Sequence, residues 1–193
     1  MDKRLPSPYV IMKRSRRILD FDENGHPVHP VGFQTRSKKG KGELWKWGSN
    51  FSCDIMVVSG DMILLVQKPS GMWCLPGGFK NNKESDIDCA LRECVEEAFD
   101  NNSDVLRMLK EHISQVSQIY DNMNNYDARN TKYAWLESKI FLIQIPIDTF
   151  TKLKPTTHGG DDVIAATWYS KKNIPDNVFP LHLIMIHKHF IQK

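Results

Sequence analysis

Between Gly77 and Glu97 two glycines, four glutamates and one arginine stand at spacings that tightly constrain the local geometry. Gly78 is followed after five residues by Glu84, after seven more by Arg92-Glu93, and after two more by Glu96-Glu97. Apolar Ile87, Ala90, Leu91, Cys94 and Val95 recur at three- to four-residue intervals, which predicts a helix from Asp86 to about Asp100 with one face in a core. On that helix Glu93, Glu96 and Glu97 stand at i, i+3 and i+4 and share a face. Carboxylates so close repel one another, and the arrangement becomes favourable when hard divalent cations such as Mg²⁺ sit among them. Arg92 precedes Glu96 by four residues and is placed to pair with it. Glu84, about two turns earlier on the same side, helps to fix the guanidinium. Gly77-Gly78 lets the backbone bend sharply and offers a carbonyl to a metal. A solvated acidic helix would need none of these companions.

The surroundings read as a mixed sheet. Cys53–Val58 and Met62–Gln67 are apolar runs joined by Ser59-Gly60-Asp61, a hairpin pattern. Trp73-Cys74-Leu75-Pro76 leads into the glycine pair. A second helix is expected over Ser103–Ile113 with Ser103 as its cap. Strands are expected over Glu137–Ile145 and Val163–Tyr169, and a last helix runs from Pro180 to about Gln192. Leu44–Gly48 alternates in a strand-like way and carries Trp45 and Trp47, read as core indoles in preference to a base-stacking pair. Trp135 and Trp168 also read as core. Strands and helices intermix without a strict βαβ rhythm, which implies an α/β fold with helices on both faces of a mixed sheet. The whole chain, 1–193, is read as a single domain, with residues 1–50 as a basic extension packing on it.

Composition narrows the partners. Lys and Arg number 26 against 23 Asp and Glu, a net charge of +3. Residues 1–50 hold 11 of those basic residues and 5 of the acidic ones. Lys38, Lys39 and Lys41 beside Trp45 and Trp47 resemble a single-strand nucleic-acid patch, but the acidic segment explains more of the chain. A small ligand whose diphosphate a metal can hold is therefore the expected partner, and neither nucleic acid nor a membrane. No apolar run approaches the roughly 20 residues of a membrane span. Cys53, Cys74, Cys89 and Cys94 form no C-x-x-C pair and read as reduced thiols. His182, His187 and His189 in the last helix read as surface or packing histidines. The expected location is cytoplasmic, with a mitochondrial one left open by Arg14, Arg16 and Arg17. Nothing in the sequence identifies an oligomer interface.

The segment resembles the Nudix box, G-x5-E-x7-R-E-U-x-E-E-x-G-U with U an aliphatic residue, over positions 78–100. Gly78, Glu84, Arg92, Glu93, Glu96 and Glu97 match it; Cys94 replaces an aliphatic residue, Phe99 the glycine and Asp100 the final aliphatic residue. Further segments are similar to ADP-ribose pyrophosphatases of the human mitochondrial type and to the related ADP-ribose-sensing domain of a melastatin channel. These are Glu23-Asn24-Gly25, Leu44 with Trp47-Gly48, Asn50 and Asp54, Trp73 with Pro76-Gly77-Gly78, Asp127-Ala128-Arg129-Asn130-Thr131 with Ala134-Trp135, and Gly160-Asp161-Asp162. Members of that group also lack the glycine that Phe99 replaces.

The resemblance implies a Nudix α/β/α sandwich and cleavage of ADP-ribose to AMP and ribose 5-phosphate with Mg²⁺, or Mn²⁺ in its place. Glu93 and Glu97 would be the main metal ligands, with Glu96 and the Gly78 carbonyl assisting and Arg92, Glu84 and Gly77 supporting them. Asp161 or Asp162 is the candidate general base, set against a plain turn before Val163. Arg129 would grip a phosphate or the terminal ribose, or pair with Asp127; Asn130 belongs to the same segment. Other Nudix substrates (a dinucleotide polyphosphate, an NDP-sugar, an oxidised nucleotide) remain alternatives, since no proline stands at Gln115-Val116, where many other ADP-ribose hydrolases carry one. So does a module that binds ADP-ribose without cutting it, against which the intact glutamates weigh.

Overall fold

The computed structural model describes residues 4–30, 40–122, 127–155 and 162–192. In chain order the elements are α1 (Pro8–Arg14), β1 (Asp20–Phe21), β2 (Pro27–Val28), β3 (Gly48–Ser59), β4 (Met62–Gln67), β5 (Trp73–Cys74), β6 (Gly77–Phe79), α2 (Asp86–Ala98), α3 (Ser103–Glu111), β7 (Ser117–Asn122), β8 (Ala134–Gln144), α4 (Ile147–Phe150), β9 (Ala165–Ser170) and α5 (Pro180–Ile186). The chain forms two compact units, Met1–Ser52 with Asn122–Ser138 and Cys53–Asp121 with Lys139–Lys193. Strands β3 and β8 each begin in the first and continue into the second. Among the described residues no helix is long and apolar enough to cross a membrane.

The larger unit is built on a sheet of order β5-β4-β3-β8-β7, with β6 also paired to β3 and β9 to β4. The hairpin expected between β3 and β4 forms, pairing Val58 with Ile63 and Ser59 with Met62. Gly60 turns it at φ +53°, a conformation an L side chain resists. β9 lies antiparallel to β4 from Met62↔Ser170 to Gln67↔Ala165. Alternation along the strands sorts side chains to two cores. Cys53, Ile55, Val57, Leu64 and Val66 face Leu91, Cys94, Val95 and Ala98 of α2 and Leu109 of α3. Met56, Val58, Ile63 and Leu65 pack with Val178, Met185, Ile186 and Phe190 of the C-terminal segment. Apolar helix faces therefore cover both sides of the sheet, the mixed α/β arrangement expected from the sequence.

Several boundaries differ from expectation for local reasons. The side chain of Ser85 caps α2 by accepting from the Asp88 N–H at 3.1 Å. The helix ends at Phe99 with φ −140°, and the left-handed step falls on Asp100 and Asn101 at φ +51° and +57°. Asn101 N–H then bonds the Val95 carbonyl, so position 99 does not need the freedom of glycine. The cap of α3 is Asn102, whose side chain accepts from the Asp104 N–H at 2.9 Å; Ser103 is the first helical residue. Residues 44–47 form a bend, and the strand starts only at Gly48, at φ +77°. Beyond Ile186 the last helix widens into a π-helical turn over His187–Ile191. All four cysteines are buried free thiols.

The smaller unit has its own core of Ile11, Leu19 and Trp135, against which Leu5, Met12, Phe21 and Trp47 are partly buried. The turn expected at Asp22–Gly25 joins β1 to β2, with Gly25 at φ +78°. Trp45, in contrast to the core role expected of it, is 54% exposed.

Candidate active site

All of the glutamates singled out in the sequence lie on α2 or in the loop before it, and the structure gives them distinct partners. Arg92 is the hub. Its Nε and Nη2 reach the two oxygens of Glu84 at 3.1 and 2.9 Å, and its Nη1 reaches Glu93 and Glu96, each at 2.8 Å. Nη2 also donates to the Phe79 carbonyl, tying the helix to β6. A guanidinium presents its donors in a planar fork, which lysine could not copy. The hydrogen bond from Arg92 holds the Glu84 carboxyl below its ordinary value. Glu93 goes the other way: burial raises it, with Arg92 opposing.

Glu97 faces away from this hub. It is 3% exposed, accepts from the Gly77 N–H at 2.9 Å and forms an ion pair with Lys68. Burial pushes its carboxyl up to about 7, against the pull of Lys68. Burial alone would lower the Lys68 ammonium, but Glu97 and Asp162 outweigh it and hold the ammonium charged. That pairing is what keeps so buried a carboxyl ionisable at neutral pH. Asp162 joins Lys68 from the exposed side at 2.8 Å. Asp161 and Gly160 lie outside the described residues.

Gly77 and Gly78 occupy a strand, and neither has a positive φ. They are there for room rather than for the sharp bend expected. A Cβ on Gly77 would stand 2.7 Å from the Cys53 carbonyl oxygen, and one on Gly78 2.6 Å from the Glu93 carboxyl carbon. At Gly77 the β3 backbone leaves no room for a side chain, and at Gly78 a side chain would displace the Glu93 carboxyl.

Lys68 does not stand out in the sequence. Its signal was indirect: a glutamate on the apolar side of an amphipathic helix needs a counter-charge, and Lys68 directly follows the apolar strand β4. The segment with Arg129 lies in the smaller unit. There Asp127 grips Arg129 through Nε and Nη2, both at 2.8 Å. Asn130 is buried, and its side-chain oxygen accepts from the Leu136 N–H at the start of β8.

The family profile described as NUDIX domain matches residues 50–186. The chain belongs to the Nudix family. Solved structures share the Nudix fold. A bifunctional NMN adenylyltransferase/ADP ribose pyrophosphatase from Francisella tularensis, complexed with AMP and a Mn ion, is 23% identical with a TM-score of 0.56, over 76% of this chain and 43% of that one. A second structure of that protein gives the same identity and score over 77% and 43%. A NUDIX hydrolase from Nitrosomonas europaea is 15% identical with a TM-score of 0.50, over 91% and 85%. The chain therefore spans less than half the length of the Francisella protein. Comparison with proteins of curated function returned no match.

The donor set can be tested against a divalent metal. Glu93, Glu96, Glu97 and the Gly78 carbonyl offer only oxygen, the ligand type that Mg²⁺ and Mn²⁺ take. Among the described residues no three acidic, histidine or cysteine side chains already converge as a cage. Arg92 and Lys68 hold the carboxylates instead, relieving the repulsion that the sequence spacing implied. In chemistry the residues fit a hard cation, and the two basic side chains are its competitors for the same oxygens.

Proposed function

We propose that this Nudix protein is a divalent-metal-dependent pyrophosphohydrolase that cleaves ADP-ribose to AMP and ribose 5-phosphate. One observation carries the hydrolase reading: Gly78 is pressed against the carboxyl of Glu93, on the same helix that sends Glu97 to the Gly77 N–H. A strand backbone and two glutamates are thereby held at one place. The ADP-ribose reading rests on the resemblance of the segment from Asp127 to Trp135 to that group of pyrophosphatases.

Glu93 and Glu97, assisted by Glu96 and the Gly78 carbonyl, would hold Mg²⁺ or Mn²⁺. When bound, the metal supplies charge neutralisation at the diphosphate and a lowered pKa for a coordinated water. Arg92, clamped by Glu84, orients Glu93 and Glu96. Lys68 opposes the effect of burial on Glu97 and keeps its carboxyl ionisable. Asp162, exposed beside Lys68, is the described candidate to take the proton of the attacking water; Asp161 shares that candidacy from the sequence. As the water oxygen adds to one phosphorus, the bridging P–O bond breaks and its electrons remain on the departing phosphate. Arg129, set by Asp127 with Asn130 beside it in sequence, is assigned to the phosphate or the ribose of the substrate.

The test is AMP release from ADP-ribose with Mg²⁺, beside ADP-glucose, NADH, diadenosine polyphosphates and 8-oxo-dGTP. Preference for ADP-ribose, abolished by EDTA, is the expected result. Preference for another compound moves the substrate and keeps the chemistry. ADP-ribose binding without turnover of any of them overturns the hydrolase reading.

A further inference from the structure

His182 stands in the first turn of α5, 7% exposed, and nothing in the proposed chemistry uses it. Its Nδ1 accepts the Leu75 N–H at 3.0 Å. Leu75 lies between β5 and β6, outside both ladders, one residue before Pro76. Three consecutive backbone groups are thus anchored on three different elements. The Leu75 N–H goes to His182, the Pro76 carbonyl to the Ile55 N–H of β3 at 2.9 Å, and the Gly77 N–H to Glu97 of α2 at 2.9 Å.

An accepting Nδ1 requires the ring proton on Nε2. Nε2 lies 3.9 Å from the Asp54 carboxylate, which itself fills the space where a Gly77 side chain would go. The carboxylate nearby would favour a charged ring. Burial, aided by Lys68, outweighs it and pushes the imidazole down to about 3, so the ring is neutral at physiological pH. The ring packs edge-on to Phe179 at 5.2 Å between centroids. Phe179 N–H in turn bonds the Trp73 carbonyl, and Trp73 N–H bonds the Asn177 carbonyl. The C-terminal segment therefore clasps β5, the strand that leads through Leu75 and Pro76 to the glycine pair.

We propose that His182 is a positioning residue: it fixes the Leu75–Gly78 segment from below, so that Gly77 and Gly78 meet Glu97 and Glu93. This rests on the reading of those glutamates as the metal-dependent centre. The physical reason is the lack of slack. Without an acceptor, the Leu75 N–H is a buried donor with no partner, which the chain relieves by moving. Two and three residues on, the glycines already touch Asp54, Cys53 and Glu93. A shift there is carried straight to the glutamates, and misplacement near 1 Å can cost on the order of 100-fold in rate.

His182→Phe fills the ring's space without the acceptor, and His182→Gln keeps an acceptor. The expected result for His182→Phe is a fall in kcat of about tenfold or more, with KM within about twofold. Amide exchange at Leu75 and Gly77 in metal-free protein should speed up by about tenfold. His182→Gln should recover most of both. A Phe variant that loses stability while kcat per folded molecule stays at the wild-type level makes His182 a packing residue and overturns the proposal. If His182→Phe does not fold, the long-range ¹H–¹⁵N spectrum of the wild-type ring decides: a neutral ring protonated at Nε2 supports it, and a cationic or Nδ1-protonated ring overturns it. Glu97→Gln in the same assay separates the two levels. If that variant keeps turnover, the reading of the centre itself fails; if it is inactive while His182→Phe is not, only the positioning role fails.

Discussion

Two glutamates of this protein are almost completely buried, and their surroundings differ in kind. Glu97 of the larger unit, 3% exposed, has a cation against one oxygen and a backbone N–H on the other. Glu137 of the smaller unit, 1% exposed, has neutral donors on one oxygen only: Ser49 Oγ at 2.6 Å and Trp135 Nε1 at 3.0 Å. Its second oxygen meets no hydrogen-bond partner among the described residues. The first is a carboxylate with a partly exposed counter-charge, for whose place the proposed metal would compete. The second ties two strands of a small core together. Burial by itself therefore marks no reactive group; what distinguishes Glu97 is a charged partner within reach of solvent and of a second acid, Asp162.

The sharpest way to break this contrast is Glu97→Gln, which keeps the shape and removes the charge. Turnover should fall by roughly 10²–10⁴-fold with folding retained, the range expected when a metal-dependent step loses a ligand or a general base. The same variant has a pH signature. The folded carboxyl, at about 7, lies above the 4.5 of an unperturbed glutamate. The folded state therefore binds its proton more tightly than the unfolded chain. That contribution to stability is complete below pH 4.5 and is lost as pH rises through 7, about 3 kcal/mol in all. In EDTA, urea titrations of wild type and variant should converge or cross in the variant's favour between pH 4.5 and 8. A constant difference across that range would show that Glu97 is not held as the structure implies.

Lys68→Met tests the counter-charge. Removing the cation leaves Glu97 without its partner, so its carboxyl should rise further and the acid limb of the kcat/KM profile should move up by about one pH unit. Stability should drop by about 2 kcal/mol at pH 8 in urea, less than for a fully buried pair because the Lys68 side chain is 28% exposed. The loss should shrink at pH 6, where Glu97 takes up a proton. A uniform fall in rate with the acid limb unmoved would make Lys68 a substrate contact and remove its part in the contrast.

The contrast also shows what a sequence can carry. The Arg92–Glu96 pair, the sides of α2 and the β3–β4 hairpin follow from spacing and alternation, because helix and strand periods are local rules. The roles of Lys68, Asp54 and His182 are not local. They depend on which strand end faces which helix, and the three are separated from Glu97 by 29, 43 and 85 positions. The glycine pair was legible as a requirement for small residues but not for its reason. A turn and a close approach select the same residue type, and only the proximity of Glu93 and Cys53 tells them apart. Likewise Asn102 and Ser103 are both good caps, and the choice between them is fixed by where the left-handed step after α2 lets α3 begin.

The smallest expected effect lies on the other side of the comparison, in Glu137→Gln. Glutamine keeps an oxygen for Ser49 and the Trp135 indole and replaces the unpartnered oxygen with an NH₂ group. A neutral amide costs less to bury than an ionised carboxylate, while the hydrogen bonds it accepts are weaker than those to a charge. These effects oppose each other, so the net change in unfolding free energy should stay within about 1 kcal/mol, read from urea midpoints at constant slope. Turnover per folded molecule should stay within about twofold, since Glu137 has no part in the proposed chemistry. A loss near that of Glu97→Gln would place Glu137 among the reacting groups. The unpartnered oxygen would then be a ligand contact, and the separation of a reactive buried glutamate from a structural one would fail.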